Sequence, residues 1–518
     1  MTTPRPDHRR NASPFLNGTE PDAVARVLES GQYGHTDVTE EFEHRIAAYL
    51  GVPDAVAVTS GTAALHSALL AADIVPGDEV IVPSMTFCAT VQAILAVGAT
   101  PRFIDIDPAT LCVTPQLIEE AVTDATAAVL PVLFGGRAID LTPIHDHLNE
   151  RGISVIADAA HAFGSRNGTH LVGSDSATLT CFSFGPIKNL TCGQGGAVIP
   201  RTPEEAATLR RLRLLGVAQS QSERAETTTY QVAGFGLRYQ LSALNAAIGL
   251  AQLDTFDTTA ATRRRLWHTY RDALTELDGV ALIDVGPDHA VPHLCQVRVQ
   301  HRDDVFAHLR KAGIGVGVHY PPNHLQPAFA LWSRPLPATE QVGTEILSLP
   351  FHQHLTEAEI HHVVTSLRDA LQHAGGRVMP TKLLTVCLGN YCRSPFAQLA
   401  LTRRSGPAVA VRSAGLISKW QDQPANPTMT KAARRLGYDL TAHRGRHITL
   451  EMLRWADTVL AMDASVLTTL RTVFGPRYES KTGLYLDDHD VPDPIGQDDA
   501  SFFECAVMIE AGTALHLT

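Results

Sequence analysis

Two short stretches of this sequence carry residue types whose spacing can do chemistry. In LLTVCLGNYCRSP (383–395) a β-type apolar run ends on Cys387, and Arg393 follows six residues later, ahead of Ser394, Pro395 and a helical pattern. A cysteine and an arginine so placed on one loop can close around an oxyanion. Backbone N–H groups face inward, and the guanidinium forks onto two oxygens. The following helix N-terminus and Arg393 favour the thiolate of Cys387, which makes it a nucleophile. Ser394 can donate to the sulfur and ease its departure, and Pro395 suits a first helical turn. A bare Cys-x5-Arg pattern arises often by chance. A strand before it and a helix after it make it specific. Downstream, DVPDPIG sets Asp493 before Pro494. An Asp-Pro pair taken alone is ordinarily a plain turn.

The other stretch is CFSFGPIKNLTCGQGG (181–196), where Lys188 follows a β-type run in a loop of small residues. A lone loop lysine is ordinarily solvated surface. Three neighbouring patterns change that reading. In ISVIADAAHAFGS (153–165) an apolar strand ends on Asp158, with His161 three residues on. A carboxylate at a strand's carboxyl end can keep a heteroaromatic nitrogen protonated, although a structural aspartate is commoner. In VAVTSGTAALHSALLAA (56–72) a strand breaks at Ser60-Gly61-Thr62 and a helix starts at once, which offers free N–H groups to a phosphate. In VIVPSMTFCAT (80–90) Phe87 follows a further strand end, where a ring can stack on a flat ligand or simply fill the core.

The elements that must position these residues alternate. Short apolar runs (Val56–Thr59, Val80–Val82, Ala128–Leu130 with Val132, Val155–Ala157, Thr178–Phe184) are separated by helical stretches such as Ala63–Ala72 and Pro143–Glu150. That pattern predicts an α/β domain with a large, mostly parallel, buried sheet, whose ligands sit at the carboxyl ends of its strands. Residues 242–277 read as one long helix, and 290–375 as a smaller α/β segment. Near 372–382, QHAGGRVMPTK pairs glycines with a proline and predicts a linker. The expected division is a large domain (1–250), a small domain (251–372), a linker (373–381) and a separate small α/β domain with a central parallel sheet (382–518).

With 518 residues, several cores are required. Hydrophobic residues at 44% and charged residues at 19% describe a globular chain, and a net charge of −12 disfavours nucleic-acid binding. No apolar run approaches a membrane span, and the polar opening stretch carries no secretory signal, so a cytoplasmic protein without membrane contact is expected. Eight cysteines in this length are not a disulfide scaffold, and none has zinc-site spacing, so no metal is expected.

Taken together, the patterns between about 13 and 370 resemble the DegT/StrS-type aminotransferases of PLP fold type I. ESGQYGHTDVTEEFEHRIAAYLG (29–51), LNAAIGLAQL (244–253) and GVGVHYPPNHLQPAF (315–329) add to the likeness. The resemblance implies pyridoxal 5'-phosphate as cofactor, with Lys188 as the lysine that condenses with it and then moves the proton. It implies Asp158 at the pyridine nitrogen, His161 beside the ring's oxygen face, Phe87 on the ring, Thr62, Ala63 and Ser183 at the phosphate, and His319 and Tyr320 near the substrate. It further implies a homodimer with shared sites, in which Arg238 replaces the asparagine that commonly reaches the neighbour's phosphate. A lysine at 188, where dehydratase relatives carry histidine, implies amino transfer. The implied acceptor is a keto group on a nucleotide sugar or a cyclitol, with glutamate or glutamine as donor. PVLFGGRAID (131–140) departs from the family's usual stretch, which leaves substrate contacts there open.

Residues from about 382 to 517 resemble the low-molecular-weight protein tyrosine phosphatases, to which VRSAGL (411–416) and Asp457–Met462 also correspond. That resemblance implies phosphomonoester hydrolysis of the phosphotyrosine type through a phosphocysteine, with Cys387, Arg393, Ser394 and Asp493 as the machinery and Asn390 and Tyr391 at the substrate. It implies Asp493 as the general acid that protonates the leaving oxygen and then activates water, with Asp490 as the second choice. The substrate is then a phosphoprotein or a phosphorylated metabolite. Tyr391 stands where such phosphatases often carry isoleucine, and Ile495 stands beside the acid where many carry an aromatic. Cys392, next to the loop, is placed for a protective disulfide with Cys387 under oxidation. A bifunctional enzyme is the leading expectation. The alternatives are a regulatory phosphate-binding module or an arsenate reductase-like activity at the carboxyl-terminal end.

Overall fold

The structure, a computed structural model, describes residues 8–219, 223–224, 226–375, 381–405 and 409–516. The chain divides into two compact units, 1–375 and 376–518.

The strands of the first unit are β1 (Val56–Val58), β2 (Glu79–Pro83), β3 (Thr100–Ile104), β4 (Thr126–Val129), β5 (Ser154–Asp158), the hairpin β6 (Arg166–Asn167) and β7 (His170–Leu171), β8 (Leu179–Ser183), β9 (Gly196–Ile199), β10 (Val280–Leu282), β11 (Cys295–Val299) and β12 (Ile346–Leu349). Seven of them form a sheet in the order β1-β9-β8-β5-β4-β2-β3, in which β9 runs against its two neighbours and the rest are parallel. Alternate side chains enter cores on opposite faces. Val56, Val58 and Ile156 pack on one side, and Ala57, Ala157 and Phe182 on the other. Burial on both faces explains why these strands read as continuous apolar runs. The carboxyl ends of β1, β2, β5 and β8 therefore open on one edge of the sheet.

The stretch expected as one helix, 242–277, is two helices, Ala243–Asp254 and Phe256–Leu274, broken at Thr255. The cause lies far away in sequence. The Asn17 side-chain amide donates to the carbonyl of Ala251 at 2.8 Å and to the Thr255 hydroxyl at 2.9 Å, which takes up the acceptor that the Thr255 N–H would use in a continuing helix. The second helix serves two cores: Phe256 and Ala260 join the large-sheet core, while Trp267 and Tyr270 join that of the antiparallel sheet β10-β11-β12. Helix Glu357–Gly375 closes the unit. It reaches beyond residue 373 because Ala374 still packs in that smaller core. Of the expected linker, 376–380 lie outside the described residues.

The second unit holds a four-stranded parallel sheet in the order β14-β13-β15-β16, with β13 (Thr381–Cys387), β14 (Val409–Gly415), β15 (Thr458–Ala461) and β16 (Thr482–Leu484). Helices Arg393–Ser405 and Asp499–Gly512 cover one face through Phe396, Leu401, Phe502 and Ile509, and helices Leu450–Trp455 and Ala464–Phe474 cover the other through Leu453 and Leu470. Among the described residues no helix is long and apolar enough to cross a membrane.

Two candidate active sites

At the carboxyl edge of the large sheet, a cavity of about 350 Å³ is lined by Gly61, Thr62, Phe87, Asp158, His161, Ser183, Lys188, His319 and Tyr320, among others. They arrive from five stretches of chain: the ends of β1, β2, β5 and β8, and the segment that carries His319 and Tyr320. Helix Gly61–Ala71 begins directly after β1, and Ser60 caps it by accepting the Ala63 N–H at 3.0 Å. That cap uses the Ala63 amide, and Ala63 itself is buried behind the lining, so the amides of Gly61 and Thr62 are the ones left at the helix N-terminus. Glycine is required at 61, because a Cβ there would lie 2.7 Å from the Ser183 Cβ. Phe87, at the end of β2, is 57% exposed to the cavity.

Asp158 ends β5 and is buried. It accepts from the Thr90 hydroxyl at 2.7 Å and the Ala160 N–H at 3.1 Å. Burial pushes its carboxyl up, while Thr90, Ala160 and the charge of Lys188 hold it back. Burial likewise pushes the Lys188 ammonium down to about 8, with Asp158 opposing. His319 donates to or accepts from Ser348 Oγ at 2.8 Å, and burial together with Lys188 pushes it down to about 4. Arg238 does not reach this cavity. It is exposed, on a strand-like bridge to Leu214. Thr90, Asn189 and His293, which support Asp158 and His161, gave no signal in the sequence because their partners are remote in the chain.

These residues fit pyridoxal phosphate on three counts. A buried carboxylate faces the cavity with Lys188 as the one lysine or arginine in its lining among the described residues, a large aromatic face is open to it, and a capped helix start offers amides. When bound, the cofactor supplies an electron sink for a carbanion next to the amino nitrogen. A pH test follows from the Lys188 shift. The neutral, nucleophilic amine is present above its depressed value and lost as pH falls through it. With cofactor removed, competitive labelling by a small amine-directed reagent should show Lys188 half-reactive near pH 8, against the ordinary lysine value of 10.5. A midpoint in the ordinary range would contradict the buried setting.

In the second unit, β13 delivers Cys387 to the loop and the helix Arg393–Ser405 starts where the loop closes. The strand also holds that helix directly: the Thr385 hydroxyl donates to the Ser394 carbonyl at 3.0 Å. The Cys387 sulfur accepts from the Asn390 N–H at 3.2 Å and from the Ser394 hydroxyl at 3.1 Å. Asn390 holds a left-handed backbone, φ 53°, and is fully buried. Its side chain donates to Ser394 at 3.0 Å and accepts the Arg446 N–H at 2.8 Å, so it shapes the loop and does not face outward. Arg393, buried, donates to Asp463 at 2.7 Å, the Val491 carbonyl at 2.8 Å and Asp493 at 2.8 Å. Burial works against its charge, and Asp493, Cys387 and Asp463 outweigh it. Asp490 instead accepts the Ala464 N–H at 2.8 Å, capping a helix. Tyr391 stacks on Trp420 at 5.3 Å and 13°, forming a flat wall. Trp420 and Asp463 had not been singled out by the sequence, although an aromatic in a polar loop (ISKWQD) was a usable hint for the first. Cys392 and Cys505 lie in the same core as Cys387, and burial pushes both thiols up, Cys505 to about 12. Neither is poised as a thiolate for exchange.

The chain is a pyridoxal-phosphate aminotransferase followed by a small unit of the low-molecular-weight phosphatase type. Residues 15–368 match the DegT/DnrJ/EryC1/StrS aminotransferase family, and the chain belongs to it. Residues 382–517 match the low molecular weight phosphotyrosine protein phosphatase family. Among solved structures, DesV of S. venezuelae is 36% identical over 69% of this chain and 98% of its own, with TM-score 0.64. The sugar aminotransferase CalS13 of Micromonospora echinospora is 29% identical over 69% and 99%, with TM-score 0.65. Spr1654 of Streptococcus pneumoniae, in its PLP form, is 26% identical over 70% and 98%, with TM-score 0.64. Pyridoxal 5'-phosphate is the cofactor of the first unit.

Proposed function

We propose that the first unit transfers an amino group from glutamate or glutamine to a keto group on a nucleotide-linked sugar or a cyclitol. The convergence of Lys188 and Asp158 in one cavity carries this reading. Lys188, half of it neutral near pH 8, would hold the cofactor covalently and then move the proton at the reacting carbon. With the cofactor bound, Asp158 would hold the proton on its ring nitrogen, His161 would lie at its oxygen side, Phe87 would stack on it, and the amides of Gly61 and Thr62 with Ser183 would take its phosphate. His319 and Tyr320 face the acceptor. The test is a screen of keto-sugar and ketocyclitol acceptors with glutamate and with glutamine, read as formation of the keto acid. A purified, cofactor-loaded chain that aminates none of them would contradict it.

The unit works as a homodimer in this reading, with Arg238 reaching the partner's phosphate. Leu215, Tyr230, Val232 and Phe235, on the stretch leading to Arg238, are 44–67% exposed, which suits an apolar contact. Mixing Lys188→Ala with Arg238→Ala subunits should restore activity that neither has alone, because one site per heterodimer is intact. Heterodimers that form without recovery would contradict shared sites.

The second unit hydrolyses a phosphomonoester in two steps. The Cys387 thiolate attacks phosphorus, Asp493 protonates the leaving oxygen, and Ser394 then stabilises the sulfur as water, deprotonated by Asp493, releases phosphate. The chain of contacts Ser394–Cys387 and Arg393–Asp493 supports it, and the Tyr391–Trp420 wall suits an aryl ester. Because Asp493 is bound to Arg393, an entering phosphate must displace it. Asp493→Ala should therefore slow turnover by on the order of 10²–10⁴ while vanadate binds more tightly. The slowing should be least for leaving groups of low pKa. A uniform slowing across leaving groups would remove Asp493 as the acid. The raised thiols of Cys392 and Cys505 speak against an arsenate reductase.

A further inference from the structure

We propose that Gly135 and His293 are positioning residues that fix which nitrogen of His161 carries its proton, and thereby turn the Tyr320 hydroxyl into a hydrogen-bond donor facing the cavity, an inference that rests on that cavity being the transamination site. The backbone N–H of Gly135 lies 3.3 Å from Nδ1 of His161. A backbone amide only donates, so Nδ1 is the lone-pair nitrogen and the proton sits on Nε2. Nε2 is 3.3 Å from the Tyr320 hydroxyl oxygen. That oxygen accepts, and its own proton remains for the cavity that Tyr320 lines.

His293 holds the arrangement from behind. Its ring lies 4.2 Å from that of His161, tilted by 33°. The Asn189 amide nitrogen donates to the carbonyls of Val291 at 2.8 Å and His161 at 3.3 Å, so its oxygen must face Nδ1 of His293, 3.2 Å away. The His293 backbone N–H donates in turn to the Gly135 carbonyl at 2.8 Å. Gly135 therefore ties both histidines, one through each of its backbone groups. The turn that presents it needs glycines: φ is 65° at Gly135 and 104° at Gly136, and a Cβ on Gly136 would lie 2.5 Å from the Val291 carbonyl oxygen. Burial, aided by Lys188, pushes both histidines well below their usual range, so each ring is neutral and has one proton to place. This gives the FGG turn of PVLFGGRAID a role: it supports the site from behind. A half-buried donor of fixed direction suits an oxygen that gains negative charge, such as the keto oxygen of the acceptor.

The test uses the full chain labelled with ¹⁵N-histidine, without and with pyridoxal phosphate. The His161 signals are assigned by their loss in His161→Gln. Imidazole nitrogen shifts separate a protonated from a lone-pair nitrogen, and wild-type His161 should show the Nε2–H form alone. His293→Phe keeps a ring against His161 but cannot bond Asn189. The Gly135 N–H still favours the Nε2–H form, but with the Asn189 bond lost a second tautomer of His161 should appear beside it, with kcat down by about ten-fold, the lower end of the range for losing the partner behind a metal-bound histidine. KM for the amino donor should change by less than about two-fold, since ground-state binding is untouched. An Nδ1–H form in the wild type overturns the proposal, and needs no variant to fold. An unchanged tautomer and kcat in His293→Phe overturns the part of His293. Absence of transamination in the wild type would instead remove the reading of the cavity, whatever the tautomer.

Discussion

Lys188→Ala should abolish transamination while leaving phosphate-ester hydrolysis intact. The side chain has two duties in the proposed reaction, the covalent link and the proton transfer. Loss of the transfer alone costs on the order of 10²–10⁴ in rate, and loss of the covalent link adds to it. No neighbour replaces it. His161, His293 and His319 are each pushed below the usual histidine range chiefly by burial, which the substitution leaves in place, and Tyr320 is pushed up. Borohydride reduction of the loaded wild-type protein, followed by peptide mapping, should place the cofactor on Lys188 and nowhere else. Asp158→Asn should keep the cofactor, because Phe87 and the helix amides remain, yet lose most activity as the ring nitrogen loses its proton. A Lys188→Ala protein that still transaminates at the wild-type rate would end the assignment.

Cys387→Ser should eliminate hydrolysis, with a loss on the order of 10⁶, the scale seen when a hydrolase loses its nucleophile. A serine hydroxyl at neutral pH is a far poorer nucleophile than a thiolate. The neighbouring thiols cannot substitute, since burial pushes Cys392 and Cys505 up. Vanadate should still bind, because Arg393 and the loop amides are unchanged. Loss of vanadate binding together with turnover would mean that the sulfur shapes the loop through its bonds from Asn390 and Ser394.

Much of both sites could be read from the chain because parallel sheets put their chemistry where strands stop. Asp158, Ser183 and Cys387 each end a buried strand, and Gly61, Phe87 and Lys188 each lie within a few residues beyond one. Apolar runs ending in polar or small residues are local signals. What escaped the sequence was set by contacts distant along it. Thr90 reaches Asp158 across 68 residues, and Asn189 reaches His293 across 104. The break at Thr255 depends on Asn17, 238 residues earlier. Asn390 had an outward role in the sequence reading, but its left-handed backbone and its bonds to Ser394 and Arg446 turn it inward. Ala63 was expected to meet a phosphate, but its amide is used by the Ser60 cap.

The most direct measurement of the central claim, two active sites in one chain, assays both reactions on one preparation of wild type and of Cys387→Ser. Hydrolysis is followed with a chromogenic aryl phosphate and transamination with glutamate and an accepted keto sugar. The expected result is that hydrolysis disappears and transamination stays within about two-fold of wild type, as for mutations at independent sites. Equal loss of both activities in Cys387→Ser, or aryl phosphate turnover that persists in it, would contradict the account.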